Sequence, residues 1–528
     1  MEDVMNYGKH MDQTQREPLR GRKMVANNQG GYSFEVNDWS RLTRFLVLGS
    51  EGGTFYVSER ELTRQNASVV ERLLKEDGVR VVNEIVEISQ DGRAPKNDAA
   101  LFALAMCLKL GDVDARRCAR AAVPLVARTG THLFDLANAV KAFGGWGRGT
   151  QAAFEGWYNA LTPEKLAYQV AKYQQRNGWS HRDILRKVHL QPTAEKQAIL
   201  RWAVKGETSG LAGNDATKVI WAFEQAKTAK GKSLIRLITD FGLPHECVPN
   251  EAKGDPAVWE AMLPNMGVTA IVRNLGKMTS IGLLAPMSNA ATFIQQRLND
   301  EELLKKGKVH PLNLLVALKT YAQGHGDKGK LAWQPVQGVT NALDSAFYKA
   351  FKAVEPTNKR TLLALDVSGS MTCSNISGMS GITPRLGSAA MALVTANVEP
   401  VHHFMGFSHT FIKLDVNPKM RLDAVVNYFD RIPFGGTDCS LPMRWAQQNK
   451  VPVDTFVVYT DSETGATYQH PAQQLKEYRQ KMGIGAKLVV VGMTANGFTI
   501  ADPNDAGMLD VVGFDTATPA VLADFARD

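Results

Sequence analysis

Cysteine is scarce in this chain. Its 528 residues include five, Cys107, Cys118, Cys247, Cys373 and Cys439, an odd number with no C-x-x-C spacing. That argues against both a disulfide framework and a cysteine-based zinc site. No window approaches about 18 uninterrupted apolar residues, so no spanning helix is expected. The first thirty residues hold no apolar stretch followed by a small-residue cleavage site, so no secretory signal is expected either. The expected setting is the reducing cytoplasm, without a membrane partner. Catalytic signatures are also missing. Ser368 does not sit in a G-x-S-x-G elbow, and no His follows a suitable acid at a comparable strand end. Residues Gly324 to Lys330 have G-x-x-x-x-G-K spacing, but Leu331 stands where a Ser or Thr should reach Mg²⁺. They also follow a helical pattern rather than a strand, which makes a basic loop the expected reading and a phosphate-binding loop the disfavoured one. The chain is expected not to be an enzyme.

What is present is an ordinary globular composition, 44% hydrophobic and 22% charged, at a length that implies more than one domain. The formal charge of +8 is unevenly spread. Residues 361–528 hold 12 basic and 16 acidic residues, a net −4, while 1–360 hold 49 and 37, a net +12. Residues 1–27 are polar and aperiodic and are expected to form a mobile arm. From 28 to 356 apolar residues recur at i, i+3, i+4 in segments such as Asp98–Lys109, Arg116–Ala127, His132–Phe143, Pro163–Tyr173, Ala194–Lys205 and Asp215–Thr228. Short Gly-, Asn- or Pro-containing breaks separate them, which suggests stacked helix pairs, an α-solenoid. From 357 to 528 short apolar β-rich runs alternate with helical segments. That pattern predicts a doubly wound α/β sheet with strands buried on both faces.

The first of those runs ends in Asp366-Val367-Ser368-Gly369-Ser370. At the carboxyl end of a strand it would offer one carboxylate and two hydroxyls to a hard cation. Gly435-Gly436-Thr437-Asp438 supplies a further hydroxyl from a loop, and Asp461 follows the run Thr455–Thr460. An all-oxygen set of low charge suits Mg²⁺ with an open coordination position. The five positions Asp366, Ser368, Ser370, Thr437 and Asp461 resemble the metal-ion-dependent adhesion site of von Willebrand factor A domains. That resemblance implies a partner carboxylate at the open position.

The densest mixture of cations and aromatics runs from Lys172 to His189. Lys172 and Arg176, four apart, would share one face of a helix that ends at Asn177-Gly178. Arg182, Arg186 and His189 would form a second polar stripe on the next helix. Two basic faces at such a corner suit phosphate binding. Arg273-Asn274-Leu275-Gly276-Lys277 reads as a helix C-terminus with a glycine cap.

Several ordered motifs are similar to the Ro autoantigen, or TROVE-domain, family. They are Ser40-Arg41-Leu42-Thr43-Arg44-Phe45-Leu46, Gly52-Gly53-Thr54-Phe55-Tyr56, Ala127-Arg128-Thr129-Gly130-Thr131, Gly144-Gly145-Trp146-Gly147-Arg148, Arg176-Asn177-Gly178-Trp179-Ser180-His181 and Arg273–Lys277. The resemblance covers about residues 28–528 and includes the C-terminal von Willebrand A domain. It implies a ring of HEAT-like helical repeats closed by that domain. It further implies Y RNA on the outer surface, through Lys172, Arg176 and His189, and single-stranded 3′ ends of misfolded noncoding RNA in a central hole, in noncoding RNA quality control. Arg128, His132, Arg148 and Arg273 are candidates for the hole by charge and motif position. In a bacterium the family also implies tethering to an exoribonuclease such as polynucleotide phosphorylase. The alternative reading is a metal-dependent protein-interaction module whose helical ring is a spacer.

Overall fold

The computed structural model describes residues 14–49, 59–326, 330–351, 354–372, 375–376, 381–429, 431–432, 436–466 and 468–527. The motif Gly52–Tyr56, Cys373 and Gly435 lie outside the described residues. No disulfide joins the described cysteines, and burial pushes the Cys107 and Cys247 thiols up to about 12. Among the described residues no helix is long and apolar enough to cross a membrane.

From Asp38 to Lys349 the described residues form an array of helices, interrupted by one short hairpin at 175–180. Asp38–Leu48 packs on Glu59–Gln90, which packs in turn on Asp98–Leu110 and Val113–Val126. Each of these then meets the helix two elements further on: Asp98–Leu110 touches Gly130–Ala142, and Val113–Val126 touches Arg148–Ala160. This alternation is that of stacked helix pairs, each burying its apolar stripe against the next. Capping side chains mark the corners. Asp112, Thr129 and Thr162 accept from the backbone N–H of Ala115, His132 and Lys165, satisfying donors that a helix start leaves open. The expected helices are present with small displacements. Ala194–Lys196 is a 3₁₀ turn leading into Gln197–Lys205, and the segment begun at Asp215 is helical only over Lys218–Ala226.

The array closes on itself. His310 caps helix Pro311–Ala322, its Nδ1 accepting from Leu312 N at 3.1 Å. Its Nε2 therefore carries the hydrogen, and lies 2.7 Å from the carbonyl of Phe514 and 3.1 Å from that of Arg93. Asn313 Nδ2 donates to Pro95 O at 3.2 Å. The early loop at 93–95 and the late helix at 311–322 are thus joined directly, which makes the solenoid a ring.

The C-terminal domain sits across this seam. Its six-stranded sheet has the order β11-β9-β8-β5-β6-β7 (β5 Thr361–Asp366, β6 His402–Phe407, β7 Phe411–Lys413, β8 Thr455–Thr460, β9 Lys487–Gly492, β11 Met508–Val512). All pairs are parallel except β6–β7, an antiparallel edge hairpin that the sequence pattern did not reveal. Helices wind between the strands, and β5 and β8 are buried throughout. On one side of the seam Arg44, 2% exposed, reaches both oxygens of Asp510 at 2.6 and 2.7 Å, and Arg93 reaches Asp515 at 2.7 Å. On the other side Asp344 accepts from Leu422 N at 2.7 Å, and Lys319 donates to Gly381 O at 2.7 Å.

The expected mobile arm over 1–27 needs correction for its described part. Residues 14–36 are tied to the C-terminal domain. β1 (Met24–Ala26) and β2 (Tyr32–Glu35) form a hairpin that pairs with β10 (Phe498–Thr499). Leu19 and Phe34 are buried in the same core as Leu362, Phe456 and Leu488. Two apolar anchors and a strand ladder were enough to order a segment whose polar, aperiodic sequence carries no helix or strand signal.

The seam has a pH signature. Burial pushes His310 down to about 4, so it folds neutral. A histidine depressed in the folded state contributes fully above its unfolded value near 6.5 and loses that contribution as pH falls toward 4, a span of about 3 kcal/mol. His132, His181 and His470, each pushed to about 3 by burial, act in the same direction. Thermal melts should show Tm falling between pH 6.5 and 4, and His310→Gln, which cannot take up the proton, should give a shallower fall. An unchanged slope in that variant would remove His310 from the acid response.

Candidate functional site

The basic stretch from Lys172 to His189 folds differently from the helix–turn–helix expected. Helix Pro163–Lys172 stops at Lys172, and Gln175–Arg176 (β3) pairs with Trp179–Ser180 (β4) around Asn177 and Gly178. Both turn residues have positive φ, 52° and 74°, as a tight two-residue hairpin requires. Asn-Gly between two short pairing segments is the sequence signal for that turn, and the helical spacing of Lys172 and Arg176 obscured it. Arg176 therefore rides on a hairpin, 56% exposed, with its Nε 3.5 Å from Asp135. Asn177 also donates to Asp135, at 2.8 Å. The next helix, His181–Val188, opens with a capping box between Ser180 and Asp183. His189 ends it in the left-handed conformation and is exposed, as are Arg182 and Arg186.

Lys172 is held more closely. Its side chain is 17% exposed, 3.7 Å from Glu246 and 5.4 Å from the ring centres of both Tyr168 and Tyr173. Burial alone would lower its ammonium, but the neighbouring tyrosine oxygens and Glu246 outweigh it, and the net shift is upward. Lys172 and Arg176 thus each have a carboxylate partner that an incoming phosphate would displace or share. The exposed Arg176–Asp135 pair holds only weakly, so exchange there costs little, whereas Lys172 is partly buried with its partner.

The other cations divide by place. Arg128 is half-buried between two helices and donates to Ser89 Oγ at 2.8 Å and to the Ser89 carbonyl. Asn97 links the same corner to Val126 O at 2.8 Å and to His132 Nδ1 at 3.5 Å. Burial, then the charges of Arg128 and Arg176, pushes His132 down to about 3, so Arg128, His132 and Arg176 share one field. Lys308, which sequence reasoning passed over, feels Arg128 as well. Arg148 is exposed at the start of helix Arg148–Ala160. Its loop is fixed by Trp146, which packs 4.6 Å from Phe154 and 5.6 Å from Trp179, so the motifs at 144–148 and 176–181 form one unit. Arg273 is exposed elsewhere, on helix Val268–Ser280. That helix runs through Gly276, so the expected glycine cap is wrong. Gly276 instead clears the way for Trp333, whose ring atoms lie 2.6–2.8 Å from where a β-carbon would be. Trp333 N donates to Gly324 O at 2.8 Å, and Gly324 follows helix Pro311–Ala322 rather than a strand; residues 327–329 of that motif lie outside the described residues.

At the other candidate centre, β5 and β8 are neighbours at the point where the strand order reverses, which is where a doubly wound sheet opens its crevice. Asp366 ends β5, Asp461 follows β8, and both are buried, as are Ser368, Ser370 and Thr437. Asp366 accepts from Ser368 N at 2.9 Å and Thr460 Oγ1 at 2.7 Å, and the Ser368 and Ser370 hydroxyls are 3.1 Å apart. Burial raises both carboxyls, with the charge of Asp461 adding to the effect on Asp366. The Oδ2 of Asp461 is buried without a hydrogen-bond partner. An orphaned carboxylate oxygen beside paired hydroxyls fits a hard dication, which would satisfy the oxygen and offset the burial of two acids.

Sequence reasoning missed what covers this centre. Gln15, fully buried, donates to Asp438 Oδ1 at 2.7 Å and accepts from the Thr464 hydroxyl. The Gln29 amide spans Thr437 N, at 3.0 Å, and Glu463 O, at 2.9 Å. Glu463 accepts from Asn28 N at 2.8 Å and Gln29 N at 3.1 Å. Scattered amides far from 437 and 463 in sequence gave no periodic signal.

The family model of the Ro60 von Willebrand A domain matches residues 360–526, and that of the TROVE domain matches 25–234 and 244–320. The chain belongs to the Ro60 family. It is 42% identical over 531 residues to the RNA-binding protein RO60 of Deinococcus radiodurans, covering 100% of this chain and 99% of that one. Against the RNA-binding protein RO60 of Caenorhabditis elegans the identity is 35% over 580 residues, covering 95% and 90%. The crystal structure of the Deinococcus radiodurans RO (RSR) protein superposes with a TM-score of 0.70, covering 93% of this chain and 99% of that chain.

The hairpin carrying Arg176 depends on its turn. No heavy atom lies within 4 Å of a β-carbon built at Gly178, so Gly178→Ala meets only the backbone cost of a positive φ. Denaturant melts should show a loss of about 1 kcal/mol. A neutral result would mean that the hairpin relaxes to another turn.

Proposed function

We propose that the chain is a non-catalytic RNA-binding scaffold acting in noncoding RNA quality control. The observation that carries this is its collinear, full-length match to proteins named for RNA binding. The charge distribution supports it, since the helical part holds the positive excess. Y RNA meets the corner formed by Lys172, Arg176 and His189, where the cations stand on a rigid hairpin and two helix ends rather than on a free loop. Single-stranded 3′ ends of misfolded RNA enter the ring, where a free unpaired end passes and a duplex does not. Arg128 and Arg148 then contribute positive field, while His132, kept neutral by burial and its cationic neighbours, offers only hydrogen bonding. An exoribonuclease such as polynucleotide phosphorylase is the partner that would consume the RNA in a bacterial host.

A second reading applies to the C-terminal domain and rests on the orphaned Asp461 oxygen. Asp366, Ser368, Ser370, Thr437 and Asp461 would hold Mg²⁺, which would supply a Lewis-acid site for a carboxylate from a protein partner. The chain's own residues orient the hydroxyls and exclude water around the two acids.

Filter binding of Y RNA against salt should show a steep loss of affinity for the unaltered chain. Lys172→Ala with Arg176→Ala should weaken binding and flatten the log–log slope by about 2. Unchanged affinity and slope in a folded double variant would exclude this corner. For the metal, Mg²⁺ at a hundredfold its Kd should stabilise the chain by about 2.7 kcal/mol. Asp461→Asn should abolish that increment, and an equal gain in both proteins would place the ion elsewhere.

A further inference from the structure

The N-terminal segment sets one hairpin tip against the two loops that carry Thr437 and Asp461. Residues 27–31 join β1 to β2, and the tip is closed on itself by Asn27 N to Gly31 O and Gly31 N to Asn27 Oδ1, both at 2.8 Å. Its strands are anchored elsewhere, through Phe34 in the core of the C-terminal domain and the pairing of β2 with β10. The Gln29 amide lies between the two loops, its oxygen accepting from Thr437 N at 3.0 Å and its nitrogen donating to Glu463 O at 2.9 Å. Asn28 N, Asn28 Nδ2 and Gln29 N donate to the Glu463 carboxylate at 2.8, 2.7 and 3.1 Å, and Asn27 Nδ2 donates to Thr464 O at 2.6 Å. Glu463 N in turn donates to Asp461 Oδ1 at 3.0 Å, and Oδ2 is the oxygen of Asp461 left without a partner. The loops also meet each other, through longer bonds of 3.3 and 3.4 Å. Glycine permits the approach of the tip: a β-carbon at Gly31 would lie 1.9 Å from Thr464 O, and one at Gly465 would lie 3.1 Å from Gln29 O.

From this geometry we propose that the β1–β2 hairpin tip is a positioning element of the metal site, with Gln29 as its positioning residue. Gln29 holds the backbone of Thr437 against that of Glu463, and Glu463 fixes one oxygen of Asp461. The two metal positions that come from separate loops are thereby set relative to each other by a third part of the chain, more than 400 residues away from them. Gln29 does not touch the cation; it acts through Thr437 and the loop after Asp461. Such help matters for Mg²⁺, which demands near-ideal octahedral geometry and tolerates little displacement of a ligand. The effect also runs in reverse. An ion that draws the two loops to their bound spacing favours the docked tip by the same factor as the docked tip favours the ion. A hairpin that served only as a tie between the halves of the molecule would stabilise the fold without responding to the ion.

This inference rests on the Mg²⁺ reading of the site, and the test separates the two. The probe is Mn²⁺, which suits the same oxygen ligands, titrated into the full-length chain and counted through the paramagnetic resonance signal of the free ion. Asp461→Asn reports on the site itself and should abolish binding. Gln29→Met keeps the reach of the side chain and removes two neutral hydrogen bonds, so it should weaken binding about tenfold. Gly31→Ala leaves every polar group in place and should also weaken binding, by pushing the tip away from Thr464 O. Hydrogen exchange in the unaltered chain, read by mass spectrometry, should slow on adding Mn²⁺ in the peptides that hold residues 27–31 and 437, and should not respond in Asp461→Asn. Circular dichroism reports whether the hairpin variants fold, and the exchange measurement decides whether or not they do. Binding by folded Gln29→Met and Gly31→Ala equal to that of the unaltered chain, with exchange indifferent to Mn²⁺, would overturn the proposal and leave the metal site intact. Weaker binding in both variants without metal-dependent slowing would make the hairpin a structural tie and overturn it as well. No Mn²⁺ bound by the unaltered chain, or equal binding by Asp461→Asn, would overturn the Mg²⁺ reading instead.

Discussion

A neutral histidine buried at a junction of three chain segments holds this architecture together. His310 gives its one N–H to carbonyls from residue 93 and residue 514, and its other nitrogen caps its own helix. A solenoid has two open ends, each with an apolar face that must be covered. Here the loop at 93–95 is bonded to His310 and Asn313, and the C-terminal domain is laid across the join, with helix Asp38–Leu48 against β11 and helix Pro311–Ala322 against Leu422–Phe429. The cost is a polar group buried where only one protonation state fits, because a charged imidazole would have no acceptor for its second proton. That contact shares the seam with the bond from Asn313 to Pro95 and with the pairs Arg44–Asp510 and Arg93–Asp515, and among these it is the one that joins three chain segments through one side chain.

Charge is distributed in accordance with this arrangement. The acidic character of the C-terminal domain is partly spent at the seam, where Asp510 and Asp515 meet Arg44 and Arg93. Arg44 is buried, and removing one member of such a pair leaves the other charge uncompensated, typically at about 3–5 kcal/mol. The pairs therefore fix register between the domains more than they add net stability. The arginine-rich motif around residues 41–44 is structural on this account, whereas Arg176, Arg148 and Arg273 remain exposed to solvent.

The N-terminal segment ties the two halves of the molecule into one. From residue 14 its described part lies on the C-terminal domain, where Gln15 and Gln29 brace the loops at 437–438 and 463–466, and then leads into helix Asp38–Leu48. The loops carrying Thr437 and Asp461 meet through Gly465 N to Thr437 O at 3.4 Å and Cys439 N to Thr464 Oγ1 at 3.3 Å, and amides from the N-terminal segment brace both from outside. That leaves the acids buried, raised and with one oxygen unmatched, the state in which a hard cation gains most.

Much of this was legible in the linear order of residues. Helix periodicity, the alternation of buried strands with helices, and the spacing of Asp366, Ser368, Ser370, Thr437 and Asp461 each follow from local rules, since the relevant partners lie within a turn, a strand or one sheet topology. The errors were also local in origin. Lys172 and Arg176 at helical spacing concealed an Asn-Gly hairpin, Gly276 imitated a cap, and aperiodic residues 14–27 imitated a free arm. In each case a distant group decided the outcome: Trp179 against Trp146, Trp333 against residue 276, and β10 against residues 34–35. The sequence by itself determined the elements, the two domains and the residue types at the candidate sites, because these depend on near neighbours and on composition. Only the tertiary structure decided that the helical array closes and what lies over the metal-type site. Those facts depend on contacts between residues tens to hundreds of positions apart, and no periodicity or motif spacing encodes such contacts.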